Sequence, residues 1–157
     1  MRTYEDAMSY VQTYYHIVFS TKHRAKTIPQ CEERQLYMYI YTMSVQKGCK
    51  IWRIGGMEDH LHILVSLPST MALAVYVKQI KTSTSKWLRE NPLFPHFDSW
   101  EEGYAAFTYA HRDRDMIVNY IMNQKEHHKR YTYREECLRF FEEEGIEYDP
   151  KYLFVDS

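Results

Sequence analysis

The chain has 157 residues, 45% of them hydrophobic and 26% charged, with only 5 glycines and 5 prolines, which excludes fibrous and low-complexity chains and suits one compact domain. The formal net charge of -1 hides a segregation: residues 132–157 hold three basic and eight acidic side chains, a net -5, leaving +4 on residues 1–131 with all eight histidines. Three cysteines in no zinc spacing, no leader-like start and no apolar run long enough to span a bilayer point to a cytoplasmic protein with reduced thiols and no membrane segment.

In chain order, Tyr14-Tyr15-His16-Ile17-Val18-Phe19-Ser20 reads as a first strand, closing in the basic run Lys22 to Lys26. Leu36, Tyr37, Ile40, Tyr41, Met43 and Val45 fall near helical spacing between Gln30 and Lys47, with Gly48 as the stop. Lys50–Ile54 and His60–Leu67 form two more strands, joined through Gly55-Gly56 as a hairpin. Ser69 or Thr70 is placed to cap a helix that runs to about Glu90 and stops at Asn91-Pro92. Tyr104–Tyr109 is a fourth strand, Asp113 or Asp115 opens a helix reaching about Tyr131, and Tyr133–Glu144 is a last acidic helix ended by Gly145.

The order β-α-β-β-α-β followed by helices predicts an α+β, ferredoxin-like split β-α-β fold: an antiparallel sheet with helices on one face, plus C-terminal helices. A single domain spans 1–157, of which 132–157 is an acidic helical tail. A solvated surface helix accounts for that acidity as well as a role with a polyanion does.

Chemistry concentrates in two short patterns. His60-Leu61-His62 opens a strand, and alternation of side chains puts both imidazoles on one face, about 7 Å apart at Cα, within reach of one metal ion; a pair of histidines on a solvated sheet face has the same spelling. Tyr120 and Gln124 lie four residues apart on one helix face, beside Ile117 and Ile121. Taken alone, that pattern also fits a tyrosine at the core edge whose hydroxyl bonds a neighbour. Together, two imidazoles and an amide oxygen form an incomplete, fairly hard ligand set, suited to Mg²⁺ or Mn²⁺ with positions left for phosphate oxygens.

These residues carry a resemblance to a known family. His-Leu-His is the HUH signature (His, bulky apolar, His), and Tyr120 with Gln124 resembles the Tyr-x-x-x-Gln helix of the single-tyrosine HUH transposases, the insertion-sequence 200/605 family. Tyr15–Lys22, Trp100–Phe107, Asn123–His128 and the tail Gly145–Asp149 match as well, so the likeness runs from about Tyr14 to Leu153. It implies an enzyme that cuts and rejoins single-stranded DNA at hairpin-marked ends. Tyr120 would be the nucleophile, forming a 5′-phosphotyrosine link, and His60, His62 and Gln124 would hold a Mg²⁺ or Mn²⁺ ion.

The resemblance also implies a homodimer whose partner is single-stranded DNA with hairpins. The candidate DNA surface is Lys22, Arg24, Lys26, Lys78, Lys81, Lys86, Arg89, Arg112 and Arg114, whose cations would meet phosphates. A domesticated relative acting on repeated extragenic palindromes shares the same residues. A ferredoxin-like domain that only binds nucleic acid is the reading from another class. Among neighbouring residues, Asp59 is either a turn residue or an acceptor for His60, and His128 either a surface histidine or a group approaching the metal. Tyr131 and Tyr133 rank below Tyr120 as nucleophiles, because neither has a glutamine four residues on.

Overall fold

The computed structural model describes residues 9–149; the tail beyond 149, and with it Leu153, lies outside the described residues. Strands β1 (Tyr15–Ser20), β2 (Lys50–Gly56), β3 (His60–Ser66) and β4 (Ala105–Thr108) form one sheet in the order β2-β3-β1-β4, antiparallel throughout. Helix α1 (Glu33–Gln46) joins β1 to β2, and α2 (Leu73–Glu90) joins β3 to β4. This is the split β-α-β arrangement.

Period two in the central strands assigns the layers. Ile17 and Phe19 of β1 and Leu61, Ile63 and Val65 of β3 all join one core with Leu36 and Ile40 of α1 and Tyr76, Val77, Ile80 and Leu88 of α2. Each such Leu or Ile contributes roughly 1.5–3 kcal/mol when fully buried. After α1, Gly48 takes φ 80°, a left-handed conformation that costs glycine nothing. Asn91 ends α2 and accepts the Leu93 amide at 3.0 Å through its own side chain.

The opposite face of the sheet is not left to water. Helix α3 (Arg114–Met122) lays Ile117 and Ile121 on Tyr14 and Leu64. Helix α5 (Tyr133–Glu144) lays Cys137 and Phe141 on Val18 and Phe107. Every residue of β3 is therefore buried, on both faces.

Three local expectations change. Neither Ser69 nor Thr70 caps α2, which begins after Ala72 without a side-chain cap. The β2–β3 turn is Met57–Asp59, because Gly55 and Gly56 still pair with His62 and Leu61. Gly55 is instead a site of close approach: a Cβ there would lie 2.8 Å from both Ile121 Cγ2 and the Ile121 carbonyl oxygen. The helix expected from Asp115 to Tyr131 breaks at Asn123 (φ -96°, ψ 19°), giving α3 and a single turn, α4 (Gln124–His127).

Substituting Gly55→Ala should force α3 off the sheet and destabilise the protein by about 1–3 kcal/mol, the usual cost of overpacking. Thermal denaturation reads this as a lowered Tm, whereas an unchanged Tm would mean that the contact yields without strain.

Candidate active site

The face of β1 and β3 turned towards α3 and α5 carries His16, His60 and His62, all with no exposed surface. Burying three imidazoles requires partners inside the protein. Asp59, in the turn before β3, meets His60 Nδ1 at 2.7 Å, and His16 Nε2 meets His62 Nδ1 at 2.7 Å. His60 and His62 are thus each held by Nδ1, which aims their Nε2 atoms at a common point. The breaks around Asn123 still leave Tyr120 and Gln124 at that point: Gln124 is 1% exposed, and its Oε1 accepts from His60 Nε2 at 3.1 Å.

The common point holds a residue that sequence reasoning placed in a solvated tail. Glu136, 2% exposed on α5, accepts from His62 Nε2 at 3.0 Å through Oε1. Its Oε2 accepts from Gln124 Nε2 at 2.9 Å and from the Tyr120 hydroxyl. His128, treated above as a surface histidine at least as readily as a site residue, has a side chain only 6% exposed; it lies 3.4 Å from Glu136 Oε1 and 2.9 Å from Gln124 Oε1. His127 reaches both Glu136 Oε2, at 3.2 Å, and the Tyr120 hydroxyl, at 3.3 Å.

One signal for Glu136 was available. The capping box of Thr132 and Glu135 fixes the start of α5, and Glu136 then falls within the stripe Tyr133, Cys137, Phe140 that faces the sheet.

Burial by itself would raise the Glu136 carboxyl, but the charge of His62 and hydrogen bonds from His127, His128 and His60 hold it well below the ordinary carboxylate range. Burial would lower His60, yet its bonds to Asp59 and Glu136 raise it to about 9. His62 and His16 are both lowered, chiefly by burial. Of the three histidines on the sheet, His60 is thus the one that favours the imidazolium beside the Glu136 carboxylate. Burial and the adjacent Glu136 push the Tyr120 phenol above its usual value, so it is held as a hydroxyl.

The donor atoms also suit a cation. Those of His60, His62, His128 and Glu136 lie within 4.8 Å of one another. Separations of 3.0 to 3.5 Å between Glu136 Oε1 and the three imidazole nitrogens are those of neighbouring ligands around an ion bound at about 2.1 Å. The chemistry of the set, imidazoles with a carboxylate and an amide oxygen, fits a divalent metal ion.

The remaining expected residues are dispersed. Arg24 and Lys26 line a cleft beside the cluster. Lys22, Lys78, Lys86, Arg89 and Arg112 are exposed. Arg114 lies over the Trp52 ring at 4.6 Å and pairs with Asp115. Lys81 is spent on structure, donating to the carbonyls of Glu101 at 2.7 Å and Gly103 at 2.8 Å. Tyr133 is directed onto His60, ring to ring at 4.4 Å, and Tyr131 onto His127 at 5.0 Å.

Residues 9–124 match the family of IS200-like transposases. The chain belongs to this family. It is similar to the ISDra2 transposase TnpA of Deinococcus radiodurans, 23% identical over 120 residues that span 72% of this chain and 84% of that one. It is also similar to the transposase for insertion sequence element IS200 of Salmonella typhimurium, 25% identical over 73% of this chain and 78% of the other. A transposase crystal structure from Deinococcus radiodurans superposes with a TM-score of 0.56 at 21% identity, covering 74% of this chain and 93% of that one. A REP-associated tyrosine transposase bound to a REP hairpin gives 0.59 at 14% identity, covering 82% and 73%. The chain is thus a transposase with the family's α+β fold, and Glu136 and His128 lie beyond the matched residues. Among the described residues, no helix is long and apolar enough to cross a membrane.

Two outcomes follow for the metal-free protein. Glu136→Gln removes the charge that pairs with His60, which should cost about 3–5 kcal/mol, as for breaking a buried ion pair, in chemical denaturation with chelator. His60 has a folded-state value above its unfolded one, so its stabilisation is complete below about pH 6.5 and fades as pH rises through about 9. Melting curves of wild type and His60→Asn in chelator should accordingly converge towards alkaline pH.

Proposed function

We propose that this transposase breaks and rejoins single DNA strands at hairpin-marked ends, with Tyr120 as nucleophile and a divalent ion, Mg²⁺ or Mn²⁺, on His60, His62 and Gln124. Glu136 and His128 supply further donors. The observation that carries this reading is the Tyr120 hydroxyl bonded to the same carboxylate on which His60 and His62 converge. When bound, the ion would polarise the scissile phosphate and offset the charge that builds up in the transition state.

The chain's own residues do the rest. Tyr120 oxygen forms a bond to phosphorus and gives up its proton to water as the bond to the 3′ oxygen breaks, leaving a 5′-phosphotyrosine and a 3′-hydroxyl that takes a proton from water in turn. In the reverse sense a 3′-hydroxyl attacks that link, and the phenol is a good leaving group, so rejoining needs no nucleotide cofactor. Asp59 and His16 hold the two imidazoles in orientation. His127 and Glu136 hold the phenol in position. A domain that only bound nucleic acid would have no use for so many desolvated polar side chains around one hydroxyl. The enzyme works in the cytoplasm as a homodimer, a state that solution mass measures directly.

Tyr120→Phe is expected to abolish cleavage and the covalent protein–DNA adduct on a hairpin-bearing single strand with Mn²⁺, while hairpin affinity stays within about two-fold. Normal cleavage by that variant would overturn the assignment. His60→Ala should eliminate Mn²⁺ binding in a calorimetric titration. In the wild type, binding should release a proton at neutral pH, because the His60 imidazolium must lose one before it can ligate.

A further inference from the structure

Two of the hollows that reach the cluster are of opposite character. One, a hollow of about 340 Å³, passes Tyr109, Met116, Phe140, Glu143 and Glu144 on its way to Tyr120 and Glu136. Its cation, Arg139, is bound to Glu143 at 3.0 Å. Acidic and apolar, it repels phosphate. The other, a cleft of about 450 Å³, lies between the Lys22–Arg24 turn and the segment 128–133, and reaches the cluster at Asp59 and His128.

Arg24, Lys26, Lys129 and Arg130 line this second cleft. Its two acids are engaged elsewhere: Asp59 with His60 at 2.7 Å, and Glu58 with Gln30 at 3.5 Å. Lys129 pairs with Glu126, but both are at least 70% exposed, and such a pair is worth only about 0–1 kcal/mol, too little to hold the ammonium from a phosphate.

The cleft wall is built at a cost. His23 and Arg24 have φ of 57° and 54°, left-handed conformations that non-glycine residues adopt at about 1–3 kcal/mol each. Thr21 secures the turn through Ala25 O at 2.7 Å and Asp59 O at 2.9 Å. On the other wall, aromatic rings lead outward from the nucleophile: Tyr120 to His127 at 5.3 Å, then His127 stacked on Tyr131 at 5.0 Å. Tyr131 is 41% exposed at the rim. Cations beside an exposed ring are what an unpaired strand requires, because a duplex hides the faces of its bases.

We propose that this cleft is the track for the unpaired DNA strand adjoining the scissile phosphate, with Lys26, Lys129 and Arg130 on backbone phosphates and the Tyr131 ring as the surface on which a base stacks. The assignment rests on the strand-transfer reading of the cluster, and it gives the strand one direction of approach.

The test is binding by fluorescence anisotropy to two probes across a salt series, an unpaired oligothymidine of roughly 15 nucleotides and a blunt DNA hairpin. Lys129→Ala/Arg130→Ala should weaken binding of the oligothymidine and reduce its salt slope by about 1.4, the release expected for two phosphate contacts on a single strand. Tyr131→Ala should lower oligothymidine affinity roughly 5-fold or more, and Tyr131→Phe, which keeps the ring, should restore it. Hairpin affinity should be unchanged by all three, and Lys78→Ala/Lys86→Ala on α2 should not reproduce the pattern. Unaltered oligothymidine binding, or equal losses on both probes, overturns the track. Failure of the strand-transfer reading shows separately, as cleavage by Tyr120→Phe, so a wild type that cleaves normally while the cleft variants bind normally removes only the track.

Discussion

A strand buried on both faces can carry polar side chains only if the protein itself satisfies them. β3 is such a strand, with Leu61, Ile63 and Val65 in the main core and His60 and His62 on the other side. Leaving a polar group buried and unpaired costs about 1–3 kcal/mol, so two imidazoles at zero exposure dictate what must surround them. Asp59 and His16 meet the inner nitrogens, and Gln124 and Glu136 the outer ones. Gln124 comes from α4, the single turn that follows α3, and Glu136 from α5, and α3 and α5 are the helices that close the face.

The same constraint joins stability to chemistry. A carboxylate among four imidazoles is tolerable in the metal-free protein only with some of the positive charge retained, and His60 keeps it. Those contacts also hold the phenol of Tyr120 against the group that gathers the imidazoles. The close approach of Gly55 to Ile121 completes this arrangement, since a larger residue would lift α3, and Tyr120 with it, off the sheet.

Much of this was legible in the sequence because it is local. Alternation in Tyr15–Ser20 and His60–Ser66, and the stops at Gly48 and Asn91-Pro92, suffice for the β-α-β-β-α-β order, and a two-residue and a four-residue spacing suffice to bring His60 with His62 and Tyr120 with Gln124. What escaped was long-range. Glu136 is one glutamate among many in an acidic helix, and only the apolar stripe around it distinguishes a buried acid from a solvated one. His128 was ambiguous because its four-residue spacing from Gln124 gives a direction but not the burial that α5 imposes on it. The bonds of Lys81 were out of reach because its acceptors are backbone carbonyls, which leave no mark on the sequence.

The position of Glu136 in the chain has a consequence for biosynthesis. At about 5–20 residues per second, both histidines of β3 leave the ribosome seconds before residue 136. A nascent chain that has reached α4 carries nucleophile, imidazoles and amide, but lacks the carboxylate that gathers them and the helix that covers them. Assembly of the cluster is therefore tied to delivery of α5, and a chain arrested short of it holds the cutting residues without their organising charge.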